Sequence, residues 1–173
     1  MIVLAGDVEM AFRFIPPTGK RGFRMGSRDA PEDRMRAHEQ PVHRVRIPDG
    51  FWLGETPVTQ AQFAAGTRAE RIEHKNAFPG RPEHPAENMT WSQAIEYCAW
   101  LTQAEAGDFP PGQWLACLPT EAEWEYACRA ETESDYYTDD GEAALDETGW
   151  YNVNSGDQTH AVREKTKRPN VWG

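Results

Sequence analysis

Cysteine is scarce in this chain: Cys98, Cys117 and Cys128 are the only three in 173 residues. An odd count without any CxxC spacing argues against a dense disulfide framework and against a thiolate zinc site. Long apolar runs are also missing; none approaches the ~18 residues that a membrane span needs. The opening MIVLAGDVEM has no basic flank and only a short apolar stretch, unlike a secretory signal. Together these features predict reduced thiols in a cytoplasmic protein with no membrane partner. The Asn88-Met89-Thr90 sequon carries little weight without an export signal. Basic residues are outnumbered, 18 Lys and Arg against 28 Asp and Glu, for a net charge of −10. A nucleic-acid backbone is held by clustered Lys and Arg, so no nucleic acid is expected as a partner. The five histidines, His38, His43, His74, His84 and His160, show neither HxH nor the helical spacing of H-E-x-x-H. Gly-rich phosphate loops, internal repeats and low-complexity tracts are absent.

What is present points to a soluble globular chain, long enough for one domain with a real core, spanning residues 1–173. Seven Trp is a high count, and thirteen Pro with fourteen Gly predict many turns and irregular connections. In EMAFRFIPP, Met10, Phe12 and Phe14 alternate with Ala11 and Arg13, which suits a half-buried strand ending at Pro16. GFRMGS reads as a short strand, and SRDAPEDRMRAHEQP as a polar loop. In VHRVRIPDG, His43, Val45 and Ile47 share one face, with Arg44 and Arg46 on the other. Thr59 caps a short helix expected to run to about Ala65, with Gly66 near its end. Thr90 and Gln93 fit a T-x-x-Q capping box. Behind it Trp91, Ala94, Ile95, Cys98, Leu101 and Thr102 fall on one helical face, and Gly107 is the expected stop.

The stretch LPTEAEWEYACRA, residues 118–130, concentrates three carboxylates, two aromatics and a cysteine. Thr120 and Glu123 form a second capping box, and Glu121 and Glu123 sit where the helix dipole favours anions. Arg129 follows Glu125 by four residues and pairs with it. Trp124, Ala127 and Cys128 make the expected buried stripe. Local physics accounts for these residue types, so the glutamates are read as structural rather than catalytic. Beyond residue 130 the chain is rich in Asp, Asn, Gly and Thr and has little periodicity; a long loop of this kind is usually functional or ligand-stabilised. Most of the tryptophans are expected to fill the core, with a ligand groove as the other use for them.

Several segments together resemble the formylglycine-generating enzyme, or sulfatase-modifying factor, family: FRMGS, EQPVHRVRIPDGFWLGETPVTQAQF, HPAENMTWSQAIEYCAWL, LPTEAEWEYACRA and YNVNSGDQTHAV with RPNVWG. The resemblance implies an α+β fold of the C-type-lectin-like kind, with two main helices starting at Thr90 and Thr120, short twisted strands and long irregular loops. Family members are copper-dependent oxidases that convert a protein cysteine to formylglycine. The copper-binding cysteine pair belongs to a later segment, which would begin where this chain stops, so the chain is expected to be a catalytically incomplete, truncated domain, with copper bound only if that segment is supplied. Cys98 and Cys128 match positions that form structural disulfides with the later segment in some members, and Cys117 is expected to be a small buried residue.

Asn152, Asn154, Asp157 and Thr159 form the best candidate metal cluster, because calcium takes carboxylate, amide and carbonyl oxygens. The resemblance makes Asn154 a calcium ligand, with Asp157 beside it; the plainer reading is that Asn and Gly here simply form turns. The same fold also serves as a non-catalytic display module in the target proteins of diversity-generating retroelements, which implies a protein or peptide ligand. An uncovered edge would favour self-association.

Overall fold

The computed structural model describes residues 2–4, 7–27, 36–70, 73–104, 114–134, 136–138, 142–165 and 170–172. The proposed stop at Gly107 and most of the 27–41 loop lie outside them. Regular structure is short throughout. Six strands of three or four residues are β1 (Ile2–Leu4), β2 (Val8–Met10), β3 (Phe12–Ile15), β4 (Phe23–Met25), β5 (His43–Val45) and β6 (Phe51–Gly54). The described residues also form four α-helices, α1 (Gln60–Glu70), α2 (Trp91–Ala104), α3 (Glu121–Arg129) and α4 (Glu142–Thr148), and a 3-10 turn at Arg36–Glu39. Among the described residues the strands pair two by two, β1 with β2, β3 with β6 and β4 with β5.

The chain divides into two compact units. The first comprises Met1–Phe12, Gly54–Leu118 and Trp150–Thr166. Its core gathers Leu4, Met10, Phe63, Tyr97, Trp100 and Leu101. Three rings run through it in sequence, with Phe63 and Tyr97 centroids 5.1 Å apart and Tyr97 and Trp100 5.4 Å apart. Helices α1 and α2 approach closely because Gly66 has no side chain: a Cβ there would lie 2.7 Å from ring atoms of both Trp100 and Tyr97. Gly66 therefore sits inside α1 rather than ending it, and the helix continues to Glu70. The expected end of the helix near Ala65 and Gly66 is thus corrected: interhelical contact, not a left-handed cap, selects the glycine.

The second unit comprises Arg13–Leu53, Pro119–Gly149 and Lys167–Gly173. Ile15, Ile47, Tyr126 and Ala127 form its centre, flanked by Phe23, Phe51, Leu53 and Trp172. Thr18 fixes the Ile47 backbone from both sides: its N–H donates to the Ile47 carbonyl at 3.1 Å, and its Oγ1 accepts from the Ile47 N–H at 3.1 Å. Arg44 and Arg46 are exposed and Val45 and Ile47 turn inward, as the alternation predicts, while His43 is exposed. The expected Met10–Phe14 strand is instead broken at Ala11 into β2 and β3. The Ala11 carbonyl accepts from Glu55 at 2.9 Å, and the face reverses there, leaving Phe14 49% exposed while Ile15 is buried. Helix α4 interrupts a segment read as irregular; its sequence EAALDET is made largely of good helix formers.

Candidate functional site

Helix α3 shows what the glutamates do. Thr120 is its N-cap, with the Glu123 N–H donating to Thr120 Oγ1 at 3.2 Å and the Thr120 N–H donating to the Glu123 carboxylate at 2.8 Å. The helix ends at Ala130 in the left-handed region (φ 46°), its N–H bonded to the Tyr126 carbonyl. Glu125 accepts from Arg129 Nε at 2.7 Å and from the Gly26 N–H at 2.9 Å. Arg129 in turn donates through Nη2 to the Gly26 carbonyl at 2.9 Å and through Nη1 to the Ser134 carbonyl at 3.2 Å. Both backbone polar groups of Gly26 are thus taken by one ion pair. Gly26 has φ 99° and its Cα faces the Glu39 carbonyl, a place no Cβ could occupy.

This clamp also decides which way α3 faces. Turning Glu125 and Arg129 toward Gly26 buries Tyr126 and Ala127 and leaves Trp124 59% exposed, with Cys128 exposed as well. The expected stripe of Trp124, Ala127 and Cys128 is therefore corrected to one through Tyr126, Ala127 and Ala130. A similar correction applies to α2, where Trp91 is 71% exposed and Tyr97, Trp100 and Leu101 carry the burial. Among the tryptophans, Trp100 is buried, whereas Trp91, Trp114, Trp124 and Trp150 are exposed, so core filling is not their common role.

The three thiols are unpaired. Burial pushes the Cys98 thiol up, and the neighbouring Cys117 thiol adds to the rise. At Cys128, whose residue surface is exposed while its sulfur is partly desolvated, the thiol is also raised, with the Arg129 guanidinium pulling down and the Glu125 carboxylate pushing up. Cys117 is exposed, contrary to the expectation of a small buried residue: of the 114–118 segment, only Ala116 packs against the core, leaving its neighbours in solvent.

The candidate calcium loop lies in the first unit. Asn154 Oδ1 accepts from the Tyr151 N–H at 2.9 Å, while the Asn154 N–H donates to the Tyr151 carbonyl at 3.1 Å. That is the turn-forming use of an asparagine. Asp157 is exposed and sits at φ 56°. Thr159 Oγ1 is 2.9 Å from His84 Nδ1, and Asn152 is exposed. The four residues are thus brought into one loop, with Asn154 and Thr159 engaged by the protein. Nearby, the Trp150 and His160 rings stack at 3.7 Å, and Lys165 Nζ lies 4.0 Å from the Trp150 ring centre. Among the described residues no group of three or more His, Cys, Asp or Glu could hold a metal ion. The oxygen donors suit calcium in kind, but only Asp157 brings a charge, so backbone carbonyls or water would have to complete the shell.

Residues 15–171 match the sulfatase-modifying factor enzyme 1-like domain. The chain belongs to this family. Among its relatives, the mouse (Mus musculus) formylglycine-generating enzyme is 39% identical over 72% of this chain and 42% of its own length. A serine/threonine-protein kinase Pkn1 of Chlamydia trachomatis serovar L2 is 31% identical over 61% of this chain and 17% of its own. The chain spans less than half the length of the curated relatives it matches. Among solved structures, Treponema denticola variable protein 1 superposes with a TM-score of 0.76 at 26% identity, covering all of this chain and 71% of that one. The sulfatase-modifying-factor chain therefore has the expected α+β, C-type-lectin-like fold.

Sequence reasoning found the two α3 carboxylates that matter locally, Glu123 and Glu125, and missed Gly26. The signal for Gly26 was a lone glycine after FRM, and nothing in the spacing ties it to a helix about a hundred residues later. It also missed that Thr59 and Gln62 form a third capping box, although T-x-x-Q is there to be read: Gln62 N–H donates to Thr59 Oγ1 at 3.2 Å and Thr59 N–H to Gln62 Oε1 at 2.9 Å.

Proposed function

We propose that this chain provides the lectin-like framework of a formylglycine-generating-type domain and that its own residues form no oxidase centre. In such enzymes copper held by two thiolates activates oxygen for attack on a substrate cysteine. The observation that carries the reading is the use of the α3 carboxylates: Glu123 closes the helix cap and Glu125 is bonded to Arg129 and Gly26, so these side chains serve structure. The test is a copper(I) titration of the purified chain against a competing chelator. No stoichiometric tight binding is expected; tight binding that depends on two of the three cysteines overturns the reading.

A non-catalytic binding role is the second reading, favoured by the likeness to variable protein 1 over the whole chain and by the outward Trp91 and Trp124. Its ligand would be a protein or peptide, with aromatic side chains supplying contact area. The unpaired thiols support a reducing, cytoplasmic setting. No helix among the described residues is long and apolar enough to cross a membrane.

Calcium belongs to the same proposal. Asn154 and the exposed Asp157 carboxylate, three positions on, supply oxygens of the kind calcium takes. At calcium tenfold above its dissociation constant, binding stabilises the folded chain by about 1.4 kcal/mol, a rise of roughly 3–6 °C in melting temperature for a chain of this size. Asp157→Asn abolishes that rise. Equal melting temperatures in calcium and in chelator contradict the site.

A further inference from the structure

Cys98 and Cys117 are brought together by a threonine. Thr102 Oγ1 donates to the Cys98 carbonyl at 3.0 Å and accepts from the Ala116 N–H at 2.9 Å. One hydroxyl thus ties the backbone of the first cysteine to the residue preceding the second. Ala116 packs on the core that includes Trp100 and Leu101, which holds the 114–118 segment against the last turns of α2. Cys98 is half-buried and Cys117 exposed. Cys128 lies in the other unit.

We propose that Cys98 and Cys117 form a reversible intramolecular disulfide when the chain meets an oxidising low-molecular-weight disulfide such as oxidised glutathione, joining α2 covalently to the 114–118 segment. The exposed Cys117 loses its proton and its sulfur attacks one sulfur of the small disulfide. That S–S bond breaks, one thiol leaves, and a mixed disulfide remains on Cys117. Cys98, the better shielded thiol, then attacks Cys117 Sγ as its thiolate. The second small thiol leaves with the displaced electron pair. The protons of Cys98 and Cys117 end on the two leaving thiols, so two protein thiols are oxidised and one small disulfide is reduced.

The experiment equilibrates the full chain in glutathione buffers of rising oxidised fraction, quenches by acid, alkylates in denaturant and maps the peptides by mass spectrometry. The expected result is concerted loss of alkylation at Cys98 and Cys117, a linked peptide lighter by two hydrogens, and continued alkylation of Cys128. Because the bond closes a loop in the unfolded chain, the oxidised sample melts roughly 5 °C higher. Cys117→Ser, at an exposed position, abolishes both changes, and Cys128→Ser preserves them. Stable glutathione on Cys117 with Cys98 still alkylated overturns the proposal, as does a link that involves Cys128 or a second chain.

Discussion

Gly26 has its N–H and its carbonyl bonded to the Glu125–Arg129 pair, and these contacts set the cost of changing each glutamate of α3. Glu125→Ala removes the acceptor of a part-buried backbone N–H and frees Arg129 from its partner. Hydrogen bonds to charged groups contribute about 1.5–3 kcal/mol each, and an orphaned donor adds to the loss, so Glu125→Ala is expected to destabilise by about 3 kcal/mol. Glu125→Gln keeps an acceptor for Gly26 and is expected to lose about 1 kcal/mol. Glu121→Ala, at an exposed first-turn position, loses less than about 0.5 kcal/mol. Urea unfolding of the three variants gives this order; equal losses contradict the clamp. The Glu125–Arg129 pair was legible in the sequence because i,i+4 neighbours meet on any helix. Its partner Gly26 was not, because only the tertiary fold brings the two together.

At the scale of elements, the helix starts were readable and the buried faces were not. A capping box is complete within four residues, so Thr90–Gln93 and Thr120–Glu123 form as the sequence predicts. Facing is decided by what the helix packs against. Trp124 is the largest apolar side chain of α3 and would be placed inward by hydrophobicity alone, yet the ion pair at Glu125 and Arg129 turns it outward. The α1–α2 contact gives a sharper test. Gly66→Ala gains helix propensity of up to about 1 kcal/mol, but its methyl meets the Tyr97 and Trp100 rings. Overpacking costs about 1–3 kcal/mol, and both rings are buried, so a net loss is expected as a melting temperature lower by a few degrees. A variant that melts higher than the parent contradicts the close contact.

At the scale of the whole chain, the described residues form two small cores, each built from short strands and one or two helices. Composition alone, rich in Pro, Gly and Trp, predicted irregular structure but not that division. The family came from several separated segments taken together, and it carried the fold with it. The 152–159 stretch was legible in composition as a turn-forming loop, while the bonds that Asn154 makes to Tyr151 and Thr159 to His84 depend on geometry that spacing does not encode. The thiols were misjudged at Cys117, where one neighbouring alanine took the inward position.

Copper(I) titration of the purified chain, followed in the same sample by oxygen uptake with a cysteine-containing peptide, tests most directly whether these residues are framework rather than oxidase. If Glu123 and Glu125 serve structure and the three thiols form no copper site, copper remains with the competing chelator and oxygen uptake stays at the peptide-only rate. Stoichiometric copper uptake with peptide turnover, lost in Glu125→Gln while the fold is retained, would contradict it.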